Sequence, residues 1–387
     1  MAGKAKWPDP YRTRKIVGLV LWLLSVLLGV FGFATAVIFQ SIASPFPGKM
    51  FFGIAEGALF AFPASLFYFL VARFLDRYDP EPLWAVLMCF IWGASIACAI
   101  SFWINSIIAG VVLGIFQNPE LAQAIAAIFS APFIEESSKS IMILGMSYFA
   151  REEFDGAIDG VIYAIFVAIG FAAAENVFYY GGAIVMPEPF DFESVFFARG
   201  VLTPWAHPLF TSMVGLGIGY GREKGGVFPT IGGAFLGWLV AVFLHMGWNF
   251  MAIVIGASDK SITGLLFLAI ALGVWAWILF FFALLVLYLV RRRGKILKQY
   301  LQDEVMLGHI TQRELELVTS AFGTMSAFLK KGKKGVEFLR AIARLGLMKW
   351  RAARAMQNKA LTFAGDFILP LRERIRGLRA EGASPTE

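Results

Sequence analysis

Eight long apolar runs constrain this chain more than anything else in it. They fall at roughly 16–39, 50–72, 84–105, 121–149, 157–183, 203–221, 227–255 and 263–290. Each is long enough to cross a hydrocarbon layer, which takes about 20 residues of helix. Continuous runs of this length, unlike alternating segments of about ten residues, mean helices and not a barrel. Hydrophobic residues make up 58% of the chain and charged residues 16%. The predicted fold is therefore all-α: a polytopic membrane helix bundle of about eight transmembrane helices. The third run stays apolar to Phe116, either as one long tilted helix or as a helix with a re-entrant piece. The first run is about 24 residues, too long for the apolar core of a signal peptide, and reads as a retained helix.

Basic residues set the orientation. Alternate loops carry Lys4, Lys6, Arg12, Arg14 and Lys15, then Arg73 and Arg77, then Arg151, then Arg222 and Lys224, then Arg291, Arg292, Arg293, Lys295 and Lys298. The opposite loops carry only Lys49, Arg199 and Lys260. Both termini are expected in the cytoplasm, which requires an even number of spans. The division that follows is a cytoplasmic segment 1–15, a membrane domain 16–290 and a tail 291–387. The expected location is a membrane that the chain crosses several times. Cys89 and Cys98 share the third run, about 13.5 Å apart along a helix, too far for a disulfide.

Composition changes at Arg291. The tail holds 20 Lys and Arg against nine acids, and its +11 leaves the rest of the chain at −4. Val336, Leu339, Ala343, Leu347 and Trp350 recur at helical spacing with Arg340, Arg344 and Lys349 between them. A helical basic tail of this kind suits the surface of an anionic leaflet, or packs on itself. No nucleic-acid recognition module is visible, and no nucleic-acid partner is expected. His309, in the tail, reads as a surface residue.

Ionisable groups inside the apolar runs carry the functional signal, because burying one in lipid costs roughly 3 kcal/mol or more. The fourth run reads Glu135-Glu136-Ser137-Ser138-Lys139. Glu135 and Lys139 are one turn apart, in the better order for an ion pair, and Glu136 faces about 100° away. Two adjacent acids repel, an arrangement that suits one acid and one base. In the fifth run, three alanines precede Glu175 and thin the helix for close approach; Asn176 follows. Asp155 and Asp159 mark that run's cytoplasmic edge. His207 lies near the outer end of the sixth run and is a candidate for the site, with an interfacial histidine beside Trp205 as the alternative. His245 and Asn249 share a helix face in the seventh, placed to bind a carbonyl oxygen or orient a water. The depths of Glu175, His207 and His245 differ by less than about 10 Å, with Glu135 and Glu136 somewhat deeper, so the groups can meet in the outer half of the bilayer. A proton-coupled transporter and an inactive helix-binding adaptor are the rival classes. No internal repeat supports a transporter, and a relay would step across the bilayer instead of clustering at one depth.

Glu135-Glu136-x-x-Lys139, Phe171-x-x-x-Glu175-Asn176-x-x-Tyr179, a histidine after Arg199, and His245 before Asn249 together resemble the four motifs of PrsW-type intramembrane proteases. Flanking segments agree: Asp76-Arg77-Tyr78-Asp79-Pro80-Glu81-Pro82, and Asp155-Gly156-x-x-Asp159-Gly160-x-x-Tyr163. The resemblance covers about 60–255 and leaves out the tail. It implies an intramembrane endopeptidase that cuts membrane-anchored protein substrates, similar to glutamate-dependent membrane proteases that process prenylated proteins and bacteriocins. The family role it brings is cleavage of a membrane-bound anti-sigma factor in stress signalling. On this reading Glu136 or Glu135 is the base and His207 holds the water and returns its proton. His245 and Asn249 form the oxyanion hole, Lys139 keeps the other glutamate charged, and Glu175 orients a histidine. No cofactor is favoured. Zinc is the alternative, with His207, His245 and Glu175 or Glu136 as ligands, although no His-Glu-x-x-His helix is present.

Overall fold

The computed structural model describes residues 12–76, 80–151, 153–154, 156–188, 191–257, 262–358 and 364–386. Every regular element among them is helical. Most of the expected segment 1–15 lies outside the described residues, as do Asp155, Lys260 and Arg77-Tyr78-Asp79.

The chain runs α1 (Arg12–Ala43), α2 (Pro47–Leu75), α3 (Leu83–Trp92), α4 (Cys98–Phe116), α5 (Pro119–Ile125), α6 (Ala131–Phe149), α7 (Ala157–Val185), α8 (Phe192–Phe196), α9 (Ala206–Lys224), α10 (Val227–Ala257) and α11 (Ile262–Met306). Three π-helical turns, Gly93–Ala97, Ala126–Ser130 and Phe197–Leu202, join α3 to α4, extend α5 into α6, and follow α8. The third apolar run is thus one continuous helix with a π turn, with no re-entrant piece. Between α4 and α5 the chain reverses within two residues. Gln117 ends α4 in the left-handed region, and Asn118 caps α5 by accepting the Leu121 N–H at 3.0 Å, ahead of Pro119.

Six helical stretches among the described residues are long and apolar enough to cross a membrane: Thr13–Ala43, Pro47–Leu75, Leu83–Phe116, Ala157–Val185, Val227–Ile255 and Ile262–Met306. The protein is a multi-pass integral membrane protein. The expected fourth and sixth spans are helices too, but α6 carries Glu135, Glu136 and Lys139, and α9 ends in Arg222-Glu223-Lys224. Their polarity separates them from the six. Both pack inside the bundle, against each other and against α10.

Helix α7 is the axis of the bundle, with α2, α3 and α9 packed around it. Small residues permit this. A Cβ on Gly170 would lie 2.0 Å from the Phe90 carbonyl oxygen, and one on Gly160 would lie 2.0 Å from that of Gly215 on α9. With no hydrophobic drive between helices in lipid, such close backbone contact is the main source of packing. Two carboxylates hold the start of α7, where helix N–H groups lack partners. Asp159 accepts the Gly156 N–H and Glu223 accepts the Ala157 N–H, both at 3.0 Å. Cys89 and Cys98 are free and buried.

Helix α11 is 45 residues long, about 67 Å at 1.5 Å per residue, so it passes well beyond the bilayer. Its far part packs with α12 (Gln312–Val318), α13 (Gly323–Gln357) and α14 (Ile368–Ala380) around a second core that includes Leu297, Leu301, Phe338, Ile342 and Ile375. Leu339, Ala343, Leu347 and Trp350 are buried in it. Of the two placements open to this stripe, it packs on the chain itself, because α11 offers it an apolar partner. His309 is not a simple surface residue either: its Nδ1 lies 2.7 Å from buried Glu304.

Candidate active site

Helix α6 supplies Glu135, Glu136 and Lys139 within little more than one turn, α7 supplies Glu175, the first turn of α9 supplies His207, and α10 supplies His245. Two indoles fix α6 between its neighbours. Trp92 donates to the Ser138 carbonyl and Trp238 to the Ser137 hydroxyl, each at 3.0 Å. The polar side chains of α6 are thereby held toward α9 and α10.

Lys139 is the hub. Its Nζ lies 2.9 Å from Glu136 Oε1, 3.4 Å from Glu135 Oε2 and 3.1 Å from His207 Nδ1, and 3.8 Å from the centre of the Phe171 ring. It has no exposed surface. A buried ammonium is tolerable only when paired and hydrogen-bonded, and the ring face adds a further attraction.

Each histidine turns one nitrogen to a carboxylate. His207 Nε2 lies 3.0 Å from Glu175 Oε2, and His245 Nδ1 lies 3.1 Å from Glu136 Oε1. The Thr211 hydroxyl donates to Glu136 Oε2 at 2.8 Å, so both oxygens of Glu136 are engaged. The other ring nitrogens lie toward Glu135, with Lys139 Nζ already against that of His207. Glu135 Oε2 is 4.0 Å from His207 Nδ1 and 3.9 Å from His245 Nε2. These gaps are too long for hydrogen bonds and suit a small shared ligand. Phe210 stacks on His245 at 4.8 Å and Phe171 meets His207 edge-on at 5.1 Å, fixing both rings.

One end of the site is open. The Glu175 and Arg199 side chains keep 19% and 25% exposure, against none for Lys139 and Glu136. Arg199, on the π turn Phe197–Leu202, pairs through Nη2 with Glu175. Its Nε donates to Asn176 Oδ1 at 2.6 Å, and its guanidinium lies 3.7 Å from the centre of the Tyr179 ring. By sequence Arg199 counts only as a loop charge. The signal available is Glu175 itself, which has no basic residue one turn away on α7 and so needs a cation from elsewhere. Part of the segment 186–199 is in this way built into the site.

The structure brings together Glu135, Glu136, Lys139, Glu175, His207 and His245, and attaches Asn176 through Arg199. Asn249 is on the His245 face but points away from the cluster. Its Nδ2 donates to the Ala127 carbonyl at 2.7 Å, holding the π turn before α6. Thr211, Phe171 and Phe210 join the site, although no charge within an apolar run marks them in the sequence.

The donor set also fits a metal ion. One atom each from Glu135, His207 and His245 lie within 4.8 Å of one another. Two nitrogens and an oxygen, all shielded, match the donors of a catalytic zinc site. Each histidine has a carboxylate behind it, the arrangement that orients metal-binding imidazoles. Glu175 and Glu136, the carboxylates expected as alternatives among the ligands, stand behind His207 and His245, and Glu135 takes the place beside the two rings.

Residues 81–287 match a family described as PrsW family intramembrane metalloprotease. Curated relatives agree. The chain is 31% identical to Protease PrsW of Geobacillus kaustophilus over 193 residues, 50% of this chain and 74% of that protein. It is 29% identical to Protease PrsW of Bacillus subtilis over 170 residues, 44% and 67% of the two chains. To Protease PrsW of Clostridioides difficile it is 25% identical over 183 residues, 47% and 73%. No solved structure matches. With the family match spanning more than half of the chain, and a helical membrane bundle around clustered acid and base groups, this chain belongs to the PrsW family of intramembrane proteases.

Proposed function

We propose that Glu135, His207 and His245 form the reacting centre, where a peptide bond of a membrane-anchored protein is hydrolysed in the outer half of the bilayer. The observation that carries this is the convergence of Glu135 Oε2 with His207 Nδ1 at 4.0 Å and His245 Nε2 at 3.9 Å, distances that one small ligand can bridge, beside the Lys139 ammonium. The attacking water, or an ion that binds it, would sit against these three atoms. Glu136 is then an orienting group, since Lys139, Thr211 and His245 occupy its oxygens. Glu175 does the same for His207. Lys139 balances the two glutamates of α6, and Asn249 fixes the backbone before them.

Glu135, His207 and His245 would hold a divalent cation such as zinc. When bound, the ion would lower the proton affinity of its water and polarise the scissile carbonyl. Lys139 supports a second, metal-free reading, because its Nζ already places a positive charge against Glu135 and His207. In that form Glu135 takes the proton of the water as it attacks, the proton passes from Glu135 to His207, and His207 gives it to the leaving amine. On the orientation from basic loops, the tail is cytoplasmic and the open end at Arg199 faces the outer side of a bacterial inner membrane.

Two measurements test this. Elemental analysis of the purified chain should find about one zinc or similar ion per molecule, lost in His207→Ala and His245→Ala. Full cleavage activity in metal-free protein would leave only the Lys139 form. Comparative proteomics of membrane fractions should show substrates accumulating uncut in cells carrying Glu135→Gln. An unchanged pattern in that strain would end the assignment of Glu135.

A further inference from the structure

The far side of the bundle carries a second feature, unrelated to the reacting centre. A cavity of about 350 Å³ opens between the tail-side end of α2 and the start of α13. Its walls include Phe74, Phe322, Met325, Phe328, Arg73 and Arg340. Phe74 lies one residue before the end of α2, a helix whose apolar side chains are largely exposed along its length. The cavity therefore sits where the lipid-facing surface of a spanning helix meets the aqueous phase.

Helix α13 lies across this end of the bundle. Phe322 contacts Phe74 with ring centres 6.2 Å apart, Arg344 pairs with Glu153 at 2.8 Å, and Arg354 pairs with Glu223 at 2.9 Å. A kink at Gly332, with φ of 59°, splits off its first nine residues. On that piece and its N-cap, Phe322, Met325, Phe328 and Leu329 are 54–78% exposed. Successive turns at 100° per residue put them within about 120° of one another, and Lys330, Lys331, Lys333 and Lys334 follow. An apolar face continuous with a lipid-facing helix and ended by lysines matches the boundary of an anionic leaflet.

We propose that the cavity is a binding site for one anionic phospholipid of the tail-side leaflet, which is the cytoplasmic one on the orientation given above. The phosphate would lie between Arg73 and Arg340, with the upper acyl chain against Phe74, Phe322, Met325 and Phe328. Arg73 already donates from Nη1 to Asp76 at 3.2 Å and to the Glu81 carbonyl at 2.8 Å. The planar guanidinium has five N–H donors, so these bonds hold it in place without using the whole fork.

Native mass spectrometry of the full chain in detergent tests the site, with phosphatidylglycerol and phosphatidylcholine offered in equal amounts. The wild type should retain one phosphatidylglycerol in preference to phosphatidylcholine, and millimolar inorganic phosphate should not displace it. Arg340→Gln, which removes a phosphate contact, and Met325→Trp, which fills the cavity, should each lower occupancy about tenfold or more. Helical content measured by circular dichroism should stay as in the wild type. Equal retention of both lipids, displacement by inorganic phosphate, or unchanged retention in both variants would overturn the proposal.

Discussion

Arg199 shows how much one side chain does at the open end of the site. It fixes Glu175 and Asn176 together and is itself fixed over Tyr179. Glu175 in turn orients His207. Arg199→Gln should lower kcat by about ten- to a hundredfold, in the range of an outer-shell partner, with a smaller effect on KM. Arg199→Lys should recover part of the loss, because an ammonium restores the charge beside Glu175 but cannot also make the second arm of the fork to Asn176. Combining Arg199→Gln with Glu175→Gln should cost little more than either alone, since both act through His207. Additive losses in that cycle would give Arg199 a role independent of Glu175.

Among the elements, α7 and α9 meet through glycine, and this contact holds together the two helices that carry Glu175 and His207. Gly160→Val would drive two methyl groups into the Gly215 carbonyl, where a bare Cβ already lies at 2.0 Å. The helices must then separate. The expected cost is about 3 kcal/mol or more, at or beyond the upper range for overpacking. It should show as a lowered midpoint in detergent unfolding together with lost cleavage. The corresponding substitution at Gly145, where an added Cβ meets nothing within 4 Å, should be mild in both measurements.

The tail elements depend on Glu304, which is wholly buried and holds Lys349 at 2.7 Å, Arg372 at 2.7 and 2.9 Å, and His309 at 2.7 Å. Burial opposes its charge, but the Arg372, Lys349 and His309 bonds prevail and bring its pKa down to about 2. A carboxylate depressed in the folded state stabilises it above the ordinary carboxylate range and loses that contribution as pH falls toward the folded value. The second core should therefore loosen between about pH 4.5 and 2. Hydrogen exchange at α12–α14 should rise over that window in the wild type and already be raised at neutral pH in Glu304→Gln.

For the whole molecule, Glu223 on α9 is the joint that ties the start of α7 to α11 and α13. It accepts Arg292 at 2.8 and 2.6 Å and Arg354 at 2.9 Å, while also capping α7. Breaking a fully buried pair costs roughly 3–5 kcal/mol. Here the figure is smaller, because Arg292 and Arg354 keep 34% and 23% of their side-chain surface. Glu223→Gln should leave the bundle folded and make the tail several-fold more sensitive to trypsin, read as the rate of release of fragments beyond Arg291. An unchanged rate would place the main tether elsewhere, at Asp159 with Arg293 or at Glu153 with Arg344.

Much of this organisation is legible one segment at a time. Length and apolarity of each run depend only on local composition, so a helical membrane bundle follows at once. The cost of burying charge singles out Glu135, Glu136, Lys139, Glu175, His207 and His245 with no knowledge of their neighbours. Three features need the folded chain: that Glu135, not Glu175, faces both histidines; that Arg199 turns inward; and that the stripe from Leu339 to Trp350 packs on α11 instead of on lipid. Each depends on how one helix is rotated and spaced against another. That rotation is set by contacts such as Gly160 with Gly215 and Asn249 with Ala127, between residues 55 and 122 positions apart in the chain, and no local period encodes them.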